Sequence, residues 1–204
     1  MTLPDFFFES KAHKKGYSVV AGVDEVGRGS FAGPVVAGAV VFKDEVLPRI
    51  VINDSKKLSP KKRELSSFWI KRNALAYGIG KASVGEINKF GIKKATETAF
   101  RRAIKNCNKR IDYLLIDAFY IPYVRGLRRK NQMPIIKGDA KSLSIAAASI
   151  VAKVYRDKLM TNLSKKPKYR KYHWDINKGY GTKIHREAIK KYGLTKLHRE
   201  KFVD

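Results

Sequence analysis

The chain has 204 residues with 44% hydrophobic content, enough for one domain with a real core and, at most, a small appended lobe. Its 44 Lys and Arg against 18 Asp and Glu leave a net charge of +26, which points to a polyanionic partner, nucleic acid before any other. No apolar run of about 18 residues suggests a membrane span, the start lacks a secretory signal's order, and the single Cys107 excludes an intramolecular disulfide framework.

Residues 1–16 read as a lead-in, with Phe6, Phe7 and Phe8 packed back on the domain. No internal repeat or low-complexity linker follows, so 17–204 is expected to be one domain. Two runs rich in Val, Ala and Gly, at 19–23 and 35–42, suit strands buried in a sheet. Between them come Asp24 and Glu25, then Gly27, Arg28 and Gly29, then Gly33-Pro34, and this spacing places both acids in a turn. After a polar stretch at 43–62, Ser59-Pro60 predicts a helix start, Ser as N-cap and Pro at the first helical position, running to about Arg72. Residues 76–84 read as a third strand, weakened by Gly78 and Gly80. From Glu86 to Cys107 the apolar residues mostly keep the spacing of an amphipathic helix, with a break at Gly91. Residues 111–120 read as a buried strand with Asp117 near its end, and 133–137 as a shorter one followed by Gly138-Asp139. Residues 143–152 are small and apolar on every face, which predicts an interior helix that emerges polar after Ala152. The basic run 165–171, with Pro167 in it, is expected to be a loop. Residues 178–182 suit a glycine-rich turn, and 183–192 a final helix ended by Gly193.

Four acids stand out by context. Asp24, Glu25, Asp117 and Asp139 each sit at or just after the end of an apolar strand candidate. Singly, each could be an ordinary exposed turn residue. Together they can converge at one edge of a sheet, the usual place for an α/β active site. Neighbouring carboxylates repel, and apolar surroundings make charging them costly. A hard divalent cation such as Mg²⁺ or Mn²⁺ relieves both problems. Gly27 and Gly29 let backbone come close to a ligand, and Arg28 supplies a charge suited to phosphate. Four carboxylates can hold two ions roughly 4 Å apart, one activating water and one steadying the leaving oxygen of a phosphodiester. The residues alone point to metal-dependent hydrolysis of nucleic acid.

Residues 22–29, Gly-Val-Asp-Glu-Val-Gly-Arg-Gly, with Ala32-Gly33-Pro34-Val35, closely resemble the opening motif of the type 2 ribonucleases H, the ribonuclease HII family. Asp54-Ser55-Lys56-Lys57-Leu58-Ser59 resembles that family's next motif. Gly138-Asp139-Ala140-Lys141 with 144–157 resembles its fourth acid and long buried helix. Lys178-Gly179-Tyr180-Gly181-Thr182 with His185 is similar to the late tyrosine motif, and His198-Arg199 with Phe202 to the closing segment. These matches run in order over 19–202. The resemblance implies an α/β, ribonuclease H-like fold: a mixed central sheet flanked by helices, with a C-terminal helical segment. It implies cleavage of the RNA strand of RNA–DNA hybrids and nicking 5′ of single ribonucleotides in duplex DNA, leaving 3′-hydroxyl and 5′-phosphate ends.

Carried over by position, Asp24, Glu25, Asp117 and Asp139 are the catalytic acids that bind Mg²⁺ or Mn²⁺. Gly27, Arg28 and Gly29 meet the ribonucleotide, whose 2′-OH separates RNA from DNA. Lys56 contacts a phosphate, and Tyr180 packs on the sugar at the DNA side of the junction. Asp157 is a fallback for the fourth acid, and Arg156 with Asp157 is expected to form a local ion pair. Ser142 and Ser144 can cap the buried helix or touch phosphate, with capping the expectation, while His185 and His198 lack zinc-site spacing and suit packing or hydrogen bonding. Ser30-Phe31 departs from a small-or-Cys then Leu pattern, and Glu200-Lys201 from a small polar residue. Neither the large N-terminal domain of the ribonuclease HIII type nor a sliding-clamp-binding tail is expected. A cytoplasmic monomer without membrane contact is expected. A junction resolvase of the same fold class would share the acids but need no 2′-OH reader. A non-catalytic RNA-binding protein would explain the charge but not four acids in apolar settings.

Overall fold

The computed structural model describes residues 3–43, 46, 48 and 50–203. Parts of the lead-in (1 and 2) and of the polar stretch (44, 45, 47 and 49) lie outside the described residues. Among the described residues, five strands form one mixed sheet: β1 (Val20–Val26), β2 (Val35–Val41), β3 (Ala76–Ala82), β4 (Tyr113–Asp117) and β5 (Gln132–Ile135). Their order is β3-β2-β1-β4-β5, with β1 antiparallel to β2, β2 antiparallel to β3, and β1, β4 and β5 parallel.

The first strand corrects one expectation. Asp24 and Glu25 are not turn residues: they lie within β1, paired with Gly38 and Ala37 of β2, and the ladder continues to Val26↔Val36. Glycine and alanine opposite them leave room for two carboxylates in a strand that would otherwise be all aliphatic. Because successive side chains of a strand point to opposite faces, the two acids leave the sheet on different sides.

Helices cover both faces. The helix α1 spans Phe7–His13 and α2 spans Pro60–Asn73; α3 spans Val84–Asn106 and α4 Leu143–Ser164. Ser59 caps α2 by accepting from the Lys62 amide. A capping box of Ser83 and Glu86 starts α3, and Gly91 (φ 78°, ψ 160°) divides it as expected. The close fit of sheet and helices rests on glycine. A Cβ on Gly22 of β1 would sit 2.2 Å from the Ser144 carbonyl carbon, and one on Gly38 of β2 would sit 2.3 Å from the Ala148 oxygen. The alanine-rich α4 therefore lies with its backbone almost on the sheet. Gly78 and Gly80 do the same for α3, so the residues that weaken β3 as a strand let it be covered.

The described part of the lead-in is structured. Phe6 packs edge-on against Phe42 at 5.8 Å, and Phe8 joins the core beside Val20, while Phe7 is exposed. Glu9 of α1 is buried and accepts hydrogen bonds from the Ser142 and Ser144 hydroxyls and the Ser144 amide, at 2.6–2.9 Å. Ser142 in turn caps α4 at the Ile145 amide. The basic run is not all loop, because Pro167 starts a short helix α5 (Pro167–Arg170) whose Tyr169 is buried. Two more helices, α6 (Trp174–Asn177) and α7 (Lys183–Tyr192), complete the C-terminal segment.

That segment has its own small core, in which His185 and His198 serve as hydrogen-bonding and packing residues. The Trp174 indole donates to His185 Nε2 at 3.0 Å, and His185 Nδ1 meets the Tyr180 carbonyl at 2.9 Å. His198 Nδ1 accepts from the Thr195 amide at 2.9 Å, and the two Nε2 atoms lie 3.2 Å apart. Burial, reinforced by His185, pushes His198 down to about 4, and burial lowers His185 too. A depressed histidine pKa stabilises the fold fully above the unfolded value near 6.5, and that stability is lost as pH falls toward 4. A drop from near 6.5 to about 4 corresponds to a loss on the order of 3 kcal/mol, which His198 is expected to contribute in large part. Urea unfolding at pH 7 and pH 4.5 is expected to show the loss, and His198→Gln to flatten it; an unchanged slope would remove His198 as its source. Among the described residues, no helix is long and apolar enough to cross a membrane.

Candidate active site

The parallel strands β1 and β4 end at one edge of the sheet, with Val23 paired to Ile116, so Asp24 and Asp117 emerge at the same level. A cavity of about 460 Å³ opens there. It brings together Asp24, Glu25, Asp117, Asp139, Gly27, Arg28, Gly29, Lys56 and Tyr180. Ser55, Ser149 and Lys153 also line it; the sequence places them within motifs but assigns them no role of their own. Ser149 and Lys153 lie four apart on α4, one helical turn, which is the signal that could have found them.

Each acid is held differently. Asp24 is almost fully buried, and its Oδ1 accepts from the Glu25 amide at 2.7 Å. Asp117 is the last residue of β4 and accepts from the Gly138 amide at 2.8 Å. It thereby anchors the 3-10 turn Gly138–Ala140 that carries Asp139. Burial pushes the Asp24 carboxyl well above the usual range, and Glu25, Asp117 and Asp139 add to this while a hydrogen bond from Ser149 opposes it. Ser149 is itself placed 3.0 Å from the Ser55 hydroxyl. Burial also raises Glu25, against the pull of Arg28, whose guanidinium lies 3.8 Å away. Asp139 is raised by burial and then by Asp54 and Asp117, with Lys56 opposing.

This donor set fits a hard divalent cation: four carboxylates line one cavity, and burial makes charging Asp24, Glu25 and Asp139 costly, with only partial compensation from Arg28 and Lys56. Among the described residues, no three acid, His or Cys side chains already close around one point. The two acids of β1 reach the cavity from opposite faces of the strand.

The loop between β1 and β2 is set by two buried arginines. Arg199 donates to the Gly27, Arg28 and Gly33 carbonyls at 2.7–3.0 Å. Arg156 donates to Ala32, Pro34 and Lys178 at 2.9–3.1 Å. Gly27 has φ +86°, and a Cβ there would sit 2.0 Å from Arg156 Nε, so only glycine fits. Gly29 has open space around it. The Phe31 and Ala32 amides both donate to the Gly179 carbonyl, which ties this loop to the turn bearing Tyr180. The Tyr180 ring has Arg156 and Lys153 at 5.3 and 5.4 Å.

Two expectations fall here. Arg156 does not pair with Asp157, because its guanidinium is consumed by backbone carbonyls in the interior. Asp157 pairs instead with Lys153 at 2.8 Å and Arg63 at 3.3 Å. It is not among the residues lining the cavity, so it is no substitute for Asp139.

The family model described as Ribonuclease HII matches residues 21–204. The chain belongs to the ribonuclease HII family. This ribonuclease HII chain is 47% identical over 199 residues to the ribonuclease HII of Caldanaerobacter subterraneus subsp. tengcongensis, covering 97% of this chain and 79% of that one. Its fold matches ribonuclease H2 from Pyrococcus horikoshii OT3 with a TM-score of 0.74, 27% identity, and 91% and 95% of the two chains covered. It also matches the fold of Bst-RNase HIII in complex with Mn²⁺, at TM-score 0.69 and 21% identity, over 94% of this chain and 67% of that one. The ribonuclease HII chain is thus an α/β protein with the ribonuclease H-like fold and an endoribonuclease of the ribonuclease H type, a hydrolase.

Proposed function

We propose that this protein cuts the RNA strand of RNA–DNA hybrids and nicks duplex DNA on the 5′ side of single embedded ribonucleotides, leaving 3′-hydroxyl and 5′-phosphate ends. The observation that carries the reading is the convergence of four acids, the 27–29 loop and Tyr180 on one cavity. Asp24, Glu25, Asp117 and Asp139 would hold Mg²⁺ or Mn²⁺, which supplies an activated water and neutralises charge on the leaving oxygen. The Mn²⁺ complex of Bst-RNase HIII, alike in fold, supports a divalent ion here.

The chain's own groups do the recognition. Backbone of Gly27 and Gly29 comes close to the ribose, and a 2′-OH can donate to or accept from it. Arg199 holds the Gly27 and Arg28 carbonyls, and Arg156 holds the same loop at Ala32 and Pro34, which lowers the ordering cost on binding. Lys56 and Lys153 face phosphate. Tyr180, with Arg156 and Lys153 beside its ring, stacks on the sugar past the junction, where an extra hydroxyl is excluded. A role in removing ribonucleotides from DNA follows, carried out by a monomer in the cytoplasm; light scattering of the pure protein tests the monomer.

Duplex DNA with one ribonucleotide, incubated with Mg²⁺ or with EDTA beside an all-DNA duplex, tests the chemistry. A single nick 5′ to the ribonucleotide, seen only with metal, is the expected result; binding with no nick under Mg²⁺ or Mn²⁺ would overturn it. Tyr180→Ala is expected to lower kcat/KM at the single ribonucleotide about tenfold more than on a long hybrid, in line with the worth of one stacked ring. Equal losses on the two substrates would remove Tyr180 from the junction.

A further inference from the structure

The β4–β5 connection carries chemistry that the cleavage site does not use. Parallel strands need a crossover, and residues 118–131 make this one without an α-helix. The chain must therefore run from the catalytic edge back along the sheet by the length of β4, roughly 16 Å for its five residues. It starts at the cavity: Asp117 ends β4, and the Arg28 guanidinium lies 5.3 Å from the Phe119 ring. It then carries Arg125, Arg128, Arg129 and Lys130, all exposed, and no acid. Among the described residues, none of these four cations pairs with a carboxylate.

This segment is built, not slack. Ile121 is buried, and the buried Gln132 side chain both accepts from its amide and donates to its carbonyl at 2.9 Å. Arg101 of α3 holds the Pro122 carbonyl at 3.1 Å. The tip closes by a bridge between Val124 and Leu127. It displays Tyr123 at 92% exposure with φ +57°, a conformation that costs a tyrosine about 1 kcal/mol and persists only because its neighbours are pinned. Arg129 stacks on Tyr120 at 4.4 Å, the second cation–aromatic pair along the path. Fixed aromatic rings interleaved with unpaired cations match a phosphate backbone, in which each charge met releases a counterion.

We propose that the 118–131 crossover is a second nucleic-acid contact, gripping the phosphates of the duplex that flanks the cleavage site. That the gripped duplex flanks a cleavage site rests on the nuclease reading; the grip itself does not. The test is therefore binding without cleavage. Labelled all-DNA duplexes of about two helical turns and of under one turn are titrated in EDTA by fluorescence anisotropy, from about 50 to 200 mM salt. The R125A/R128A/R129A variant is expected to bind the long duplex about tenfold more weakly. Its slope of log K against log salt should fall by about 2 to 3, near 0.9 for each phosphate that is no longer neutralised. The short duplex should bind as before, with an unchanged melting temperature because the three side chains are exposed. Tyr123→Ala should weaken the long duplex several-fold. Wild-type slope and affinity in the triple variant on the long duplex would overturn the proposal, as would equal losses on both lengths. A wild-type protein that shows the length-dependent slope yet never nicks at a ribonucleotide would sink the nuclease reading alone.

Discussion

Asp117→Asn is expected to reduce cleavage of an RNA–DNA hybrid about a thousandfold or more while hybrid affinity stays within a few-fold. The side chain sits at the end of β4 where it does two things: it presents charge to the cavity and it accepts from the Gly138 amide. Asparagine keeps an acceptor oxygen of the same shape, so the turn carrying Asp139 stays in place. What disappears is one negative charge from a crowded set. Asp24, Glu25 and Asp139 are each pushed upward by Asp117, so its removal relieves repulsion and the melting temperature should hold or rise. Phosphate contacts elsewhere on a chain of net charge +26 keep the hybrid bound. The decisive pair of measurements is single-turnover cleavage and affinity on one preparation. Full activity would take Asp117 out of the catalytic set; lost binding with lost activity would make it a scaffold residue.

Arg199→Met should cost about 4 kcal/mol of folding stability, which is large against the 5–15 kcal/mol of a typical domain. Arg199 is fully buried and, among the described residues, has no carboxylate partner; it makes four hydrogen bonds to the carbonyls of Gly27, Arg28 and Gly33. Burial, then the nearby Arg156 charge, pushes it down to about 9, so it still carries its proton at neutral pH. Methionine fills the space of the stem but leaves the Arg28 and Gly33 carbonyls without the donor they have here, and Gly27 with only the long bond from the Ser30 amide at 3.4 Å. Each buried unsatisfied group costs roughly 1–3 kcal/mol, partly offset by no longer burying a charge. Lysine keeps the charge but cannot fork, so Arg199→Lys should recover only part of the loss. Urea unfolding reads the stability. At a temperature where the variant remains folded, kcat/KM for an embedded ribonucleotide should also fall, because the 27–29 backbone is no longer held. A variant within about 1 kcal/mol of wild type would show that the loop keeps its shape without the clamp.

Much of this molecule was legible one stretch at a time. Ser59-Pro60 and Gly193 mark helix ends through local backbone chemistry, and the structure shows helices there. The apolar runs became β1, β2 and β4, and Gly91 broke α3, since chain periodicity and glycine's φ freedom need no distant partner. Seven of the nine candidate site residues could be nominated because an acid beside an apolar run, or a glycine pair around an arginine, is costly to keep without a use; Lys56 and Tyr180 came only from the resemblance to the family.

Other features depended on residues far apart in the chain. β1 runs through Asp24 and Glu25 because Gly38 and Ala37 of the next strand leave them space, a fact of register that composition cannot express. Gly22, Gly38, Gly78 and Gly80 look like weak points in strands until helix backbones are laid on them. Arg156 sits beside Asp157 in sequence, and proximity suggests an ion pair. On α4, however, adjacent residues point about 100° apart, so one side chain enters the core and the other meets Lys153 and Arg63. By itself the sequence determined the local elements, the charge and the acids that make this a ribonuclease HII family chain. The strand register, the two arginines that hold the 27–34 loop and the gathering of residues 24 to 180 around one cavity came only with tertiary structure. They depend on which backbone carbonyls are left needing a donor once the chain is packed, and no single stretch contains that information.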